Sequence, residues 1–305
     1  MNTAKPHPSG AASGVLALLG ATLFWAGNYL VGGAAVAAIP PIDLVALRWT
    51  IAAVPLLVIA QLIERPDWRS VLRRSYRVII PALFGLLAYN LLLYSALLHT
   101  DAINASLINA FNPALITLAA ALFLRQRLTP TAVAGVLVAL VGVLWVLSDG
   151  NLATLTSTGF GLSDVLMIGA IVAWTGYTLT SRTQTGIPPI TATALQAVVA
   201  VVLTTPAMLL TGGPHIPTEP GPIWALAFIG LFPSVISYVL WNRALTVIPA
   251  NRAGVFLNLI TVFTVIASAA LGHPFTLAQA IGGAIVLAGV ALTNAQAFRR
   301  PTLSQ

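Results

Sequence analysis

Long apolar runs follow one another along the whole chain, and they constrain its fold more than any other feature of the sequence. A helix rises about 1.5 Å per residue, so about 20 apolar residues are needed to cross a hydrocarbon core of about 30 Å. Only 7% of the residues are charged and 58% are hydrophobic, whereas about 25% of the residues of an ordinary soluble domain are charged. The sequence therefore predicts an all-α integral membrane protein, embedded in a lipid bilayer, without a large water-soluble domain.

The breaks between these runs divide the chain into ten predicted membrane spans. Their predicted bounds are 14–37, 43–63, 78–98, 102–124, 129–148, 161–181, 189–211, 222–245, 251–271 and 275–297. The predicted domain organisation is a tail (1–13), a five-helix repeat (14–148), a linker (149–160), a second five-helix repeat (161–297) and a second tail (298–305). An even number of spans places both tails on the same side of the membrane.

The basic residues fall almost entirely on one side of this topology. The side that carries the tails collects thirteen of the fourteen Lys and Arg residues, and only Arg48 falls elsewhere. Positively charged loops stay in the cytoplasm, so both termini are predicted to be cytoplasmic and the protein is predicted to lie in the inner (cytoplasmic) membrane. Arg48 is expected near the opposite end of the second span, where it would pair with Asp43 or Asp101 or extend toward the surface; this structural role is favoured over binding of a substrate carboxylate. The basic charge thus reflects topology, and no nucleic-acid partner is expected.

The two halves of the chain repeat one another. Three pairs of segments match at nearly the same interval: "IPPI" at 39–42 and 187–190, "GATLFWAGNY" at 20–29 with "GAIVAWTGYT" at 169–178, and "LTPTAVAGVLVALVGV" at 128–143 with "FTLAQAIGGAIVLAGV" at 275–290. Each repeat holds five predicted spans, and because five is odd the second copy crosses the membrane in the opposite sense. Inverted-topology repeats are a recurring architecture of secondary transporters, although a duplicated structural bundle or a channel also fits this pattern.

The same segments carry a family resemblance over nearly the whole chain. With "PALITLAAALFLRQRLTPTAVAGVLVALVGV" at 113–143 and "FTVIASAALGHPFTLAQAIGGAIVLAGV" at 263–290, the paired halves resemble EamA-type members of the drug/metabolite transporter superfamily. Within that superfamily the chain is most similar to YddG-like aromatic amino-acid exporters. The resemblance implies amino-acid substrates and transport out of the cell.

Polar and aromatic side chains near the span centres are the candidates for a substrate-binding site. A polar group at the bilayer centre is costly unless it faces protein or a water-filled cavity, and these groups recur at helical spacing in equivalent spans of both halves. The predicted substrate-binding residues are Trp25, Asn28, Tyr29, Tyr89, Tyr94, Asn109, Asn112, Trp174, Tyr177, Tyr238, Trp241 and Asn258. For Tyr94 and Trp241, which lie near span ends, a structural or interfacial role is an equally supported alternative.

Other residues have predicted structural roles. Trp49 and Trp68 are expected at the membrane interface, and glycines matched between the repeats, such as Gly135 and Gly289, are expected to let helices pack closely. Pro113 is expected to bend its span or to free a backbone carbonyl. The double proline of each "IPPI" predicts a sharp break before the next span.

The absence of certain chemical groups narrows the function. The sequence has no cysteine, no HExxH motif and no carboxylate at the middle of a predicted span, where proton-coupled transporters carry their relay groups. We therefore expect no enzyme activity, no metal and no cofactor. The expected function is a monomeric secondary transporter that moves small amphipathic metabolites, above all amino acids, by alternating access and facilitated diffusion. Export of other metabolites or drugs with proton coupling, a channel and a membrane sensor remain as alternatives.

Overall fold

The computed structural model describes residues 8–125, 128–153, 161–248, 253–254, 256–273 and 275–299. All secondary structure within these ranges is helical. Most of the predicted N-terminal tail, more than half of the predicted linker and most of the predicted C-terminal tail lie outside the described residues.

Ten helices, numbered in chain order, form most of the described part of the chain. Their bounds are α1 (Pro8–Ala35), α2 (Pro41–Ile63), α3 (Tyr76–Leu97), α4 (Ala102–Leu124), α5 (Pro130–Leu147), α6 (Leu162–Thr180), α7 (Pro189–Leu210), α8 (Pro220–Leu245), α9 (Asn258–Ala270) and α10 (Leu277–Arg299). Helices α1 to α8 are long and apolar enough to cross a membrane, and they confirm the first eight predicted spans to within a few residues. The apolar stretches of α9 and α10 are shorter. A short surface helix, Trp68–Arg73, lies between α2 and α3.

The outer surface of these helices is apolar. Large hydrophobic side chains that are more than half exposed include Leu16, Leu122, Phe123, Leu210 and Trp224. Monomeric soluble proteins rarely expose large contiguous apolar surfaces, whereas lipid tails are as apolar as these side chains. The surface is therefore suited to a bilayer.

Prolines mark where several helices begin. Pro41, Pro130, Pro189 and Pro220 are the first residues of α2, α5, α7 and α8. Proline suits this position because its missing N–H has no partner in the helix and its fixed φ is already helical. The second proline of each "IPPI" is thus a helix start, which confirms the predicted break before the second and seventh spans.

Helices α3 and α8 both contain a π-helical segment, at Ala82–Ala88 and at Phe232–Ile236. A proline lies at the beginning of each segment, Pro81 and Pro233. A π turn replaces the usual hydrogen-bonding register and is frequent at functional sites. It leaves backbone carbonyls for side chains of neighbouring helices to bind. The third helix of each half therefore carries the same kind of irregularity.

Helices α2 and α7 pack along each other and are tied together at both ends. At the end of α2, the Glu64 carboxylate accepts hydrogen bonds from the N–H groups of Ile190 (2.8 Å) and Thr191 (2.7 Å) in the first turn of α7. At the start of α2, the Asp43 carboxylate accepts a hydrogen bond of 2.7 Å from the N–H of His215, which follows α7. The two helices therefore run antiparallel, with the two "IPPI" corners at opposite ends of the pair.

Helices α5 and α10 approach each other so closely that their backbones are in contact. A Cβ atom added to Gly289 would lie 2.7 Å from the carbonyl oxygen of Gly135, and one added to Gly142 would lie 2.8 Å from that of Gly282. The predicted close packing through glycines is confirmed. Gly135 is equivalent to Gly282 and Gly142 to Gly289 in the repeat, so exchanging the two halves converts one contact into the other.

Trp49 does not lie at the membrane interface, and the prediction for it is wrong. Its ring is fully buried, and its indole N–H donates a 3.1 Å hydrogen bond to the carbonyl oxygen of Leu86 in the π segment of α3. The ring also packs against Tyr238 of α8, with centroids 6.1 Å apart, so it contacts protein and does not face lipid headgroups.

Candidate functional site

A cavity between the two halves is lined by residues of α1, α2, α3, α4, α6, α8 and α9. The space between its lining atoms and its opening amounts to about 610 Å³, part of which is open solvent. Its lining residues are Trp25, Asn28, Tyr29, Arg48, Tyr89, Asn90, Asn109, Asn112, Pro113, Trp174, Tyr238, Leu257, Asn258 and Ile260. The structure thus brings nine of the twelve predicted substrate-binding residues together around one cavity.

Two aromatic pairs form part of this lining. Trp25 of α1 packs edge-on against Tyr238 of α8, with ring centroids 5.6 Å apart, and Trp174 of α6 packs against Tyr89 of α3 at 4.9 Å. The hydroxyl of Tyr89 is also 2.9 Å from that of Tyr29, a hydrogen bond. Trp25 is equivalent to Trp174 and Tyr89 to Tyr238 in the repeat. Each pair therefore joins the first helix of one half to the third helix of the other.

The remaining three predicted residues support the lining but do not belong to it. Trp241 packs against Trp25 with centroids 5.4 Å apart, and Tyr177 packs against Trp174 at 4.9 Å. Tyr94 is fully buried. Helical spacing predicts which side chains share one face of a helix. Such a face covers a wide arc, so side chains at its margin, such as Trp241 and Tyr177, contact neighbouring rings and do not reach the cavity.

Arg48 lies in the cavity lining, a position that the sequence did not predict. Only 3% of Arg48 is exposed, so the expected extension toward the surface is wrong. The expected pairing with Asp43 or Asp101 is also wrong, because Asp43 contacts Nδ1 of His215 at 2.7 Å and Arg48 hydrogen-bonds to neutral groups. One signal could have located it: the equivalent residue of the second repeat is Gln196, a buried polar residue in α7.

The Arg48 guanidinium is held by three neutral oxygens from α3 and α8. Nη1 donates to Asn90 Oδ1 (2.6 Å) and to the Tyr94 hydroxyl (2.5 Å), while Nε and Nη2 both donate to Ser234 Oγ, at 3.0 and 2.7 Å. The Tyr94 hydroxyl in turn donates to Asn28 Oδ1 at 2.7 Å. The network links both halves of the protein and places a fixed positive charge in the cavity.

The π segments orient several of these side chains. The indole N–H of Trp25 donates to the carbonyl oxygen of Pro233 at 3.1 Å, and Nδ2 of Asn90 donates to that of Leu86 at 2.9 Å. Ser234 is itself part of the π segment of α8. The irregular backbone of α3 and α8 thus positions groups that face the cavity, which agrees with the frequent occurrence of π turns at functional sites.

A break in α4 presents amide groups to the cavity. Helical structure stops after Asn109 and resumes at Asn112, immediately before Pro113, so the predicted effect of this proline on its span is confirmed. Nδ2 of Asn112 donates to Asn109 Oδ1 at 2.8 Å. The Oδ1 atoms of Asn112 and Asn258 are buried and have no hydrogen-bond partner among the described residues. Both are free to accept a hydrogen bond from a ligand.

Acidic side chains are absent from the described lining of the cavity. All seven acidic residues of the sequence are among those described, and none of them lines the cavity. Within the described part of the chain, no group of three or more His, Asp or Glu side chains is placed to hold a metal ion. Arg48 is therefore the one charged side chain in the lining as described.

The sequence model of the EamA-like transporter family matches residues 12–148 and again residues 161–295. The chain belongs to the EamA-like transporter family. The two matches coincide with the two predicted repeats, so the EamA domain is duplicated here. This EamA-like protein is accordingly a multi-pass membrane transporter for a small-molecule substrate.

Individual proteins similar to this EamA-like protein agree with that assignment. The uncharacterized transporter YyaM of Bacillus subtilis is 28% identical over 287 residues, which cover 93% of this chain and 94% of YyaM. An uncharacterized transporter of Archaeoglobus fulgidus is 28% identical over 262 residues, or 82% of this chain and 87% of that protein. One protein crystal structure superimposes with a TM-score of 0.68 at 24% identity, covering 94% of this chain and 98% of the other. At that identity the likeness supports the fold alone.

Proposed function

We propose that the protein is a monomeric secondary transporter that moves small amphipathic metabolites, above all amino acids and including aromatic ones, out of the cell across the inner membrane by alternating access. The observation that carries this proposal is the cavity between the two halves, lined mainly by aromatic and amide side chains. Aromatic faces can contact a substrate ring or its ammonium group, and amides can bind the polar groups of an amino acid.

The arrangement of the halves supports alternating access. The antiparallel α2–α7 pair, tied by Glu64 and Asp43, puts the equivalent "IPPI" corners at opposite ends. The glycine contacts between α5 and α10 interchange when the halves are exchanged. We take α9 and α10 as the ninth and tenth spans, so that the halves form an inverted pair. Such a pair provides two related conformations, one open to each side of the membrane.

The charge distribution supports an orientation. Arg69, Arg73 and Arg74, in or next to the short surface helix, are close in sequence to Glu64 at the end of α2. Positive loop charge favours the cytoplasmic side. We therefore place this end of the α2–α7 pair, together with both termini, in the cytoplasm. The first "IPPI" then faces the outside and the second faces the cytoplasm.

The lining supports facilitated diffusion. Proton-coupled transporters carry Asp, Glu or His groups as relays within the membrane, and none is found among the described residues that line the cavity. We expect purified protein in liposomes to equilibrate an amino acid equally well with and without a pH gradient. Accumulation of substrate against its own gradient, driven by a pH gradient, would support the proton-coupled alternative.

The direct test is counterflow in liposomes loaded with unlabelled L-phenylalanine and given the labelled amino acid outside. A carrier shows saturable uptake and a transient accumulation of label, whereas a channel shows neither. Trp174→Ala removes a lining ring, and because one aromatic contact is worth about 0.5–1.5 kcal/mol beyond its buried area, we expect the apparent affinity to fall about tenfold. The control is Trp224→Ala, since Trp224 is 74% exposed and lies outside the cavity. Equal effects of the two substitutions would contradict the proposed site.

A further inference from the structure

Arg48 carries a buried positive charge that no carboxylate neutralises. Within the described residues, the one close contact between a carboxylate and a basic side chain joins Asp43 to Nδ1 of His215, and every acceptor bonded to Arg48 is an uncharged oxygen. Breaking up a buried charge pair is strongly unfavourable because an unpaired charge remains. The Arg48 guanidinium is buried without a carboxylate beside it. It is therefore suited to bind the anionic group of a ligand.

The guanidinium keeps hydrogen-bonding capacity for such an anion. Of its five N–H groups, four are used: one on Nε, two on Nη1 and one on Nη2. The second N–H of Nη2 has no partner in the described structure, and Arg48 itself lines the cavity. The Ser234 hydroxyl accepts both of its bonds from Arg48 and donates to a backbone carbonyl of α8. A carboxylate oxygen could replace Ser234 Oγ as the acceptor at this edge of the guanidinium.

Another part of the same cavity is suited to a positively charged group. Asn112 and Asn258 contribute buried Oδ1 atoms without partners among the described residues, and an amide oxygen can only accept hydrogen bonds. An ammonium group supplies three donors. The lining thus combines a group that attracts a carboxylate with groups that suit an ammonium.

We infer that Arg48 binds the carboxylate of the transported molecule and that the cavity selects substrates with an α-amino-acid head group, held with its ammonium toward Asn112 and Asn258. The inference rests on the proposed transport function and makes it more specific. Arg48 is a specificity-determining residue in this view. In this arrangement the aromatic pairs contact the substrate side chain. The head group is bound by Arg48, Asn112 and Asn258.

The test compares ligands that differ in one end group. Purified wild-type protein is titrated with L-phenylalanine, L-phenylalaninamide and 3-phenylpropanoate, and binding is followed by thermal stabilisation. Hydrogen bonds to charged groups are stronger than neutral ones, so we expect L-phenylalanine to bind at least about tenfold more tightly than its amide. This wild-type comparison needs no variant and stands even where a variant does not fold.

The variant test uses Arg48→Gln, which introduces the residue found at the equivalent position 196 of the second repeat. We expect it to abolish the preference for the acid over the amide, while Arg48→Lys keeps part of it. The control Arg182→Gln changes an exposed arginine and should leave the ratio unchanged. A purely structural role for Arg48 would lower stability in Arg48→Gln and keep the preference.

The outcomes separate the two proposals. Binding of 3-phenylpropanoate but not of L-phenylalanine would support a carboxylate site at Arg48 and would count against amino acids as substrates. Equal binding of the acid and the amide to the wild type, or an unchanged preference in Arg48→Gln, would overturn the inference while transport itself could stand. Failure of every carboxylate tested to bind would overturn it as well.

Discussion

The contact between α5 and α10 leads to a prediction that can be worked out from distances. The two helices touch through glycine backbones, and a Cβ atom added to Gly289 would lie 2.3 Å from the backbone nitrogen of Ala139 and 2.7 Å from the carbonyl oxygen of Gly135. Ordinary contacts of this kind are 3.4–4 Å. In Gly289→Ala the two helices must therefore separate by roughly 1 Å, because neither neighbour is a side chain that can rotate away.

This separation has a predictable cost. Overpacking a well-packed interior typically costs about 1–3 kcal/mol, and about 1.4 kcal/mol corresponds to a tenfold change in the unfolding equilibrium. Alanine favours a helix over glycine by about 1 kcal/mol, and that gain only partly offsets the loss. We expect Gly289→Ala to be less stable than the wild type, with a melting temperature lower by several degrees.

The measurement is thermal unfolding of purified protein in detergent, followed by tryptophan fluorescence and by loss of the monodisperse peak in size-exclusion chromatography. The matched control is Gly33→Ala in α1, where an added Cβ atom meets nothing within 4 Å. We expect this control to melt at the wild-type temperature or slightly above it. If Gly289→Ala were as stable as Gly33→Ala, the backbone contact between α5 and α10 would not exist as described.

Two further predictions concern buried polar contacts. Glu64→Ala removes the carboxylate that accepts hydrogen bonds from the first turn of α7, so we expect a loss of about 0.5–2 kcal/mol, as for a lost helix cap. The control in the same melting assay is Glu219→Ala, because Glu219 is exposed and its side chain makes no cap hydrogen bond to α8. Trp49→Phe removes the N–H that binds the π segment of α3 and should cost about 1 kcal/mol. Trp224→Phe, which changes an exposed ring, should leave the melting temperature unchanged.

Features written in short stretches of sequence could be predicted well. Apolar length locates the spans, and Pro41 and Pro189 locate two helix starts, because each depends on neighbouring residues alone. Trp25 and Trp174 could be placed in the site since they lie near span centres and match in the repeat. The second half of the chain can be aligned with the first, and residues that match in both halves are better candidates for the site than residues that do not.

Features that depend on contacts between distant helices could not be predicted. The position of Arg48 along α2 follows from the sequence, but its burial does not. It depends on Ser234, which lies 186 residues away along the chain in the π segment of α8. The same holds for Trp49, whose partner Leu86 is freed by the π segment of α3. The spacing of residues predicts which side chains share one face of a helix, but it does not predict which other helix packs against that face.

The two halves share a scaffold but differ in charge, and this difference bears on how a substrate binds. The aromatic pairs and the glycine contacts are preserved when the halves are exchanged, yet α2 carries Arg48 where α7 carries Gln196, and Gln196 does not line the cavity. A cavity with full two-fold symmetry would accept a substrate in two equivalent orientations. A single cation on α2, with free amide oxygens of Asn112 and Asn258 on α4 and α9, makes these orientations unequal for any molecule with an acidic and a basic end. Under the proposed alternating access, we therefore expect one bound orientation in both conformations, because Arg48 is part of α2 and keeps its charge in each.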